Sequence, residues 1–362
     1  HLESSDEVRF ETSDLPVDTA RRVMIDKFGV LYIGADVLAN PSDVKLYANS
    51  ASSMMLEENL RGQIAKVLER EKLRAYRIDV KMQVVRNDEG SPSSGSSAVA
   101  AMVGLGLGMV LYMFLMIYGA MVMQSVIEEK SSRVLEVVVS SVRPFELMMG
   151  KIFGVASVAV VQVLIWAVLV CGAGAAVMPH VLPDGAMEAA AALQQGGGAA
   201  TAAADDFDPE TLGAIALATD VGYLAMLFGY LLLFVVGGYL LYSAMFAAVG
   251  SAVDNAQDAA QLQTPIMIPI ILAVIVEMSV LNDPNSPLAF WFSLIPFTSP
   301  VVMMARIPYG IPTWEIVLSL VLLYAAFVGM VWLSAKIYRV GIFMYGKKPT
   351  LREMFRWIRY KY

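Results

Sequence analysis

Nine side chains stand out by type and spacing. Glu128, Glu129, Lys130, Arg133 and Glu136 crowd together between two long apolar runs, Asp254, Asp258 and Gln261 lie between two others, and Glu277 sits inside an apolar run. A short charged helix held between two spans would move both if anything pushed on it. A carboxylate at membrane depth is costly and is by default a functional suspect. Neither pattern is catalytic. The only two histidines, His1 and His180, are far apart, and Cys171 is the only cysteine, so an intrachain disulfide and the usual His- and Cys-based metal sites are excluded. No Ser/His pair lies within the apolar runs, and no Gly-x-x-x-x-Gly-Lys-Ser/Thr loop is present to cradle phosphate.

The composition says what must position these groups. Apolar residues make up 57% and charged residues 16%, against roughly 45–50% and 25% in soluble domains. That balance predicts an α-helical polytopic membrane protein, and a net charge of -7 argues against a nucleic-acid partner. Five apolar segments, about 98–126, 147–177, 221–249, 265–281 and 314–335, are near or above the ~17–25 residues that span a bilayer. A further apolar stretch, 286–308, is broken by Pro296 and Pro300 and is expected to dip into the membrane and return.

Residues 1–97 mix polar and apolar positions and predict an α/β domain. Strands are expected at 29–34, 44–48 and 80–85, and Leu56, Leu60, Ile64, Val67 and Leu68 form the apolar stripe of a helix. Asn87–Ser97 is rich in Gly, Ser and Pro and reads as a flexible tether.

Loop charges set the expected orientation. The segment 336–362 carries eight Lys or Arg against Glu353 alone, and so should be cytoplasmic. Counting back places 127–146 and 250–264 inside, and 178–220 and 282–313 outside. The loop 178–220 holds seven Asp or Glu and no Lys or Arg, which agrees. The same count puts the N-terminal domain outside the cytoplasm, with an upstream membrane helix or a cleaved signal peptide needed to deliver it. An upstream helix would make six spans. The opening His-Leu-Glu reads as a fragment or processed form.

Ile127, Val134, Leu135, Val138 and Val142 line one side of a short helix over 127–143, which is expected to end near Ser140, Ser141 and Pro144. By pattern alone this is an interfacial amphipathic helix. The stretch Ile127-Glu-Glu-Lys-Ser-Ser-Arg-Val-Leu-Glu-Val-Val-Val-Ser-Ser-Val-Arg-Pro-Phe-Glu-Leu-Met-Met-Gly-Lys151, however, resembles a motif of type-2 ABC exporter permeases, specifically their NatB-like sodium-exporter branch. The segments Gly250–Pro265, Asn285–Pro300 and Lys336–Pro349 are similar to that family's second cytoplasmic loop, outer re-entrant segment and cytoplasmic end.

The resemblance implies the type-2 ABC exporter transmembrane fold and outward transport, with Na+ the leading substrate. Glu128, Glu129, Lys130, Arg133 and Glu136 would then couple to an ABC ATPase subunit, while Asp254, Asp258 and Gln261 occupy the second loop. Two ATPase chains carrying ATP and Mg would assemble with two permease chains, identical or different, in the plasma membrane. No cofactor is expected in this chain. The alternative is a non-transporting signalling or structural membrane protein whose outer domain binds a ligand.

Several residues remain open on sequence. Glu277 is either a snorkelling or hydrogen-bonded interfacial carboxylate, or a cation or substrate contact. Asp220 and Glu315 read as solvated helix ends. Gly104, Gly106 and Gly108 are expected to permit close helix packing, and Gly237-Gly238 to do so or to mark a bend. The Ala/Gly-rich stretch 185–204 reads as a low-complexity loop. Trp357 and Tyr360 among the basic residues of the tail suit the lipid headgroup region.

Overall fold

The computed structural model describes residues 10–13, 15–23, 29–34, 37, 43–48, 54–72, 82–86, 97–132, 142–182, 185–194, 209–344 and 350–358. The N-terminal part holds α1 (Val17–Val23), β1 (Gly29–Ile33), β2 (Val44–Ala48), α2 (Met54–Lys72) and β3 (Met82–Arg86). The sheet order is β1-β2-β3, with β1 antiparallel to β2 and β2 parallel to β3, in registers that set Ile33 opposite Val44 and Val44 opposite Met82. Along β2 the residues Val44, Leu46 and Ala48 are buried in turn, as strand alternation requires. Leu60, Ile64 and Leu68 of α2, one helical stripe, pack on Val37, Val44 and Leu46. This small core is the α/β domain expected from the pattern.

The membrane part comprises α3 (Ser97–Ser131), α4 (Pro144–Val181), α5 (Ala186–Gln194), α6 (Pro209–Thr219), α7 (Val221–Ala252), α8 (Ala256–Val280), α9 (Pro287–Leu294), α10 (Ser299–Arg306), a 3-10 turn (Ile307–Tyr309), α11 (Thr313–Gly341) and α12 (Leu351–Trp357). Five of these, α3, α4, α7, α8 and α11, are long and apolar enough to cross a membrane. The spine is α7, which packs on α3, α4 and α11. Its half from Gly237 to Ala252 is almost wholly buried.

Close approach in this bundle is made by glycine. A Cβ on Gly104 would collide with the Ala305 carbonyl oxygen of α10, and one on Gly237 would come within 2.8 Å of Leu323 of α11. Gly106 faces open space, so of the three glycines in this stretch Gly104 and Gly108, four residues apart on one side of α3, are the packing pair.

The helices are longer than the apolar runs alone indicate. At ~1.5 Å per residue α3 is about 50 Å long, against about 30 Å of hydrocarbon, so its charged last turn extends past the membrane core. The residues Ile127–Ser131, expected to begin a separate short helix, are instead a direct continuation of α3. The later part of the predicted coupling helix, including Arg133 and Glu136, lies outside the described residues.

The predicted loop 250–264 shrinks to Val253–Asn255. Asn255 caps α8 by accepting from the Asp258 backbone N–H at 2.9 Å, and the helix continues through Pro265 and Pro269. The helix α11 likewise runs on to Gly341. The stretch 185–204 is corrected in part: Ala186–Gln194 is helical, and Ala186 and Ala190 pack on Ile215 and Ala216 of α6. Alanine is the strongest helix former, so a run that looks like low complexity satisfies helix propensity.

Candidate functional site

Three buried or bridging charge clusters emerge. At one end of the bundle Lys130, in the last turn of α3, is fully buried. Its ammonium donates to the carbonyls of Ser251 (2.7 Å) on α7 and Gly341 (2.9 Å) on α11. It also pairs with Asp254 Oδ1 at 3.1 Å. An ammonium has three N–H donors, and three acceptors meet them. Both carbonyls are in last helical turns, where backbone oxygens lack intrahelical partners and favour a cation.

The adjacent Glu129 points elsewhere. Its carboxylate pairs at 2.6 Å with Lys151, in the second turn of α4, and Lys151 also donates to the Ser125 carbonyl of α3 at 3.2 Å. Two neighbouring residues therefore tie the end of α3 to four structures: Glu129 to α4, and Lys130 to α7, α11 and the α7–α8 turn. Glu128 remains exposed to solvent. Asp258 is engaged in the α8 cap, accepting from Asn255 Nδ2 at 3.0 Å, and Gln261 is exposed one turn further along.

At the opposite end, α9 and α10 are locked to α11 through Arg306. The guanidinium is fully buried; Nε donates to the Pro284 carbonyl (2.8 Å), and Nη1 donates to Ser293 Oγ (2.7 Å) and pairs with Glu315 Oε2 (2.8 Å). Ser319 of α11 donates to the Ser293 carbonyl at 2.7 Å. Glu315 is thus not a solvated helix end, because Arg306 draws it inward. Asp220 is half-buried and caps α7 by accepting from the Tyr223 N–H at 3.0 Å.

Glu277 neither snorkels nor hydrogen-bonds. It is fully buried, and both carboxylate oxygens lack a hydrogen-bond partner among the described residues. It lies about 28 Å along α8 from Asp258, so the structure does not bring it to the Lys130 cluster.

A family model described as "ABC-2 family transporter protein" matches residues 2–336. The chain belongs to this ABC-2 family. It is 25% identical over 246 residues to the "Uncharacterized protein YhaP" of Bacillus subtilis (strain 168), covering 68% of this chain and 52% of that protein. It is 27% identical over 260 residues to the "Uncharacterized protein MJ1024" of Methanocaldococcus jannaschii, covering 71% and 54%. The chain thus spans about half the length of these curated relatives. No solved structure matches it.

Family membership and the five long apolar helices among the described residues make it a multi-pass membrane protein. ABC-2 permeases generally pair with ABC ATPase subunits. Within this ABC-2 chain, sequence reasoning missed Lys151, Ser251, Gly341 and Arg306 as members of clusters. Arg306 carried a usable signal: no other Lys or Arg occurs between Lys151 and Lys336. The carbonyls of Ser251 and Gly341 left none, since any residue supplies a carbonyl. Trp357 corrects the headgroup reading: it is buried in the bundle core, while Tyr360 lies outside the described residues.

Proposed function

We propose that this chain is an exporter permease whose segment 127–143 receives the motion of an ATPase subunit and passes it into the bundle. The observation that carries this reading is the divergence of Glu129 and Lys130. Any displacement of the segment after Ser132 pulls on α4 through Glu129–Lys151 and on α7 and α11 through Lys130. Four of the five spans are thereby joined at the point of contact. Glu128, Arg133 and Glu136 supply the docking charges, and the turn at Asp254, with Asp258 and Gln261 behind it, forms the neighbouring part of the same surface.

In this reading the protein spans the plasma membrane with the Lys130 end facing the cytoplasm, in keeping with the basic residues after Ala335, and the N-terminal domain outside. The paired short helices α9 and α10, braced by Arg306, are the segment that enters the membrane from the outer side and returns. Two ATPase subunits bearing ATP and Mg, and a second permease chain, identical or different, complete the transporter. Na+ is the substrate favoured by the resemblance of residues 127–151 to the NatB-like branch.

The test uses inverted membrane vesicles carrying the complete protein and its candidate ATPase. ATP-dependent uptake of radioactive sodium, with ionophore controls against antiport, is expected in the wild type and lost in Glu128→Lys/Arg133→Glu. Continued ATP hydrolysis without sodium uptake in the wild type would keep the permease and remove Na+. Undiminished uptake in the charge-reversed variant would remove the coupling role.

A further inference from the structure

Glu277 is a buried charge that the coupling mechanism does not use. Its carboxyl group fills a notch left by a glycine. A Cβ on Gly108 of α3 would collide with Glu277 Oε1 and lie 2.8 Å from its Cδ and 3.2 Å from the Val301 carbonyl oxygen of α10. A carboxyl group and a backbone carbonyl therefore share one small space between α3, α8 and α10.

Nothing nearby neutralises the carboxylate. The elements packed on α8 are chiefly α3, α7, α9 and α10. The charged residues of α3 are Glu128, Glu129 and Lys130 at its far end; α7 and α9 have none, and Arg306 of α10 is bound to Glu315. The titratable neighbours left are tyrosines, Tyr112 and Tyr118 of α3 and Tyr223, Tyr230, Tyr239 and Tyr242 of α7, and none hydrogen-bonds Glu277. An isolated buried carboxylate costs several kcal/mol, so a positive charge must accompany it.

We propose that Glu277 and the Val301 carbonyl form an occluded site for one monovalent cation within the membrane, a proton or an alkali ion. The chemistry common to both is one positive charge shared by a carboxylate and a carbonyl oxygen. A proton makes Glu277 an O–H donor to that carbonyl, and a small hard cation takes both oxygens as ligands. Divalent ions fit poorly. A lone carboxylate balances one positive charge, so Ca2+ or Mg2+ would leave a second one uncompensated inside the bundle. The site deepens the transport reading and rests on it for what the ion does, not for whether it binds.

The test is infrared difference spectroscopy of the full chain in lipid nanodiscs, wild type against Glu277→Gln, without ATPase or ATP. Sodium chloride is titrated against choline chloride at fixed pH, and pH is titrated in choline chloride alone. The difference spectrum is expected to isolate one carboxyl group that changes from protonated to ionised. Conversion by sodium and not choline identifies an alkali-ion site, and conversion by pH alone identifies a proton site. A Glu277 signal that answers to neither overturns the proposal. Gly108→Ala, which fills the notch, is expected to abolish the response while the chain remains inserted; an intact response there also overturns it. Because no transport is read, failure here is distinct from failure of the vesicle experiment.

Discussion

Lys130 and Glu277 are both fully buried charges on long apolar helices, and they differ in everything else. Lys130 has an acceptor for each of its three protons, drawn from α7, α11 and the turn between α7 and α8. Glu277 has none for either oxygen. A fully met charge holds helices in place, and removing it costs stability. A charge with no partner adds no such bond, so its removal tests function almost separately from folding. The same contrast separates Arg306, met by Pro284, Ser293 and Glu315, from Glu277 only a short way along the same end of the bundle.

The largest effect expected from this comparison is at the met charges. Lys130→Met strands two carbonyls and Asp254, and Arg306→Leu strands Glu315; each should lower unfolding stability by about 3–5 kcal/mol, read as thermal melting in detergent. Arg306→Leu combined with Glu315→Gln should recover part of that loss. If Lys130→Met melts like the wild type, the cluster is not a brace.

Next comes packing. Gly104→Ala drives a methyl into the Ala305 carbonyl and should cost about 1–3 kcal/mol. Gly106→Ala meets nothing within 4 Å and should be neutral or stabilising by up to about 1 kcal/mol, since alanine is the better helix former. Equal effects at the two glycines would contradict the close contact of α3 with α10.

Smaller in stability but larger in function is Glu129→Lys. The pair with Lys151 is partly exposed, so its loss should cost no more than about 1 kcal/mol. ATP-driven transport should fall while hydrolysis continues, and the swap Glu129→Lys/Lys151→Glu should restore it. The smallest stability change belongs to Glu277→Gln, within about 1 kcal/mol of wild type in the same melt, because the amide fills the same space and keeps a donor for the Val301 carbonyl. A Glu277→Gln variant as damaged as Lys130→Met would erase the distinction between the two charges.

The spans were legible because a membrane helix must advertise itself in an unbroken apolar run. The α/β domain was legible because Val44, Leu46 and Ala48, and Leu60, Ile64 and Leu68, follow the strand and helix periods. What could not be seen was direction. Glu128, Glu129 and Lys130 are consecutive and look alike in sequence, yet one faces solvent, one faces α4 and one faces inward. That choice depends on the Gly341 carbonyl 211 residues away. Glu315 was misread for the same reason, its partner being set by how α10 folds back on α11. The alanine-rich stretch 186–194 failed differently, since its local helix preference was present in the sequence and was outweighed by its low complexity.

The most direct measurement of the coupling claim does not depend on the substrate. In a Cys171→Ala background, single cysteines at Arg133→Cys and Asn285→Cys are treated in membranes with a bifunctional thiol reagent and the candidate ATPase. The account predicts a permease–ATPase cross-link from position 133 and none from position 285. A cross-link from position 285 with none from position 133 would contradict it.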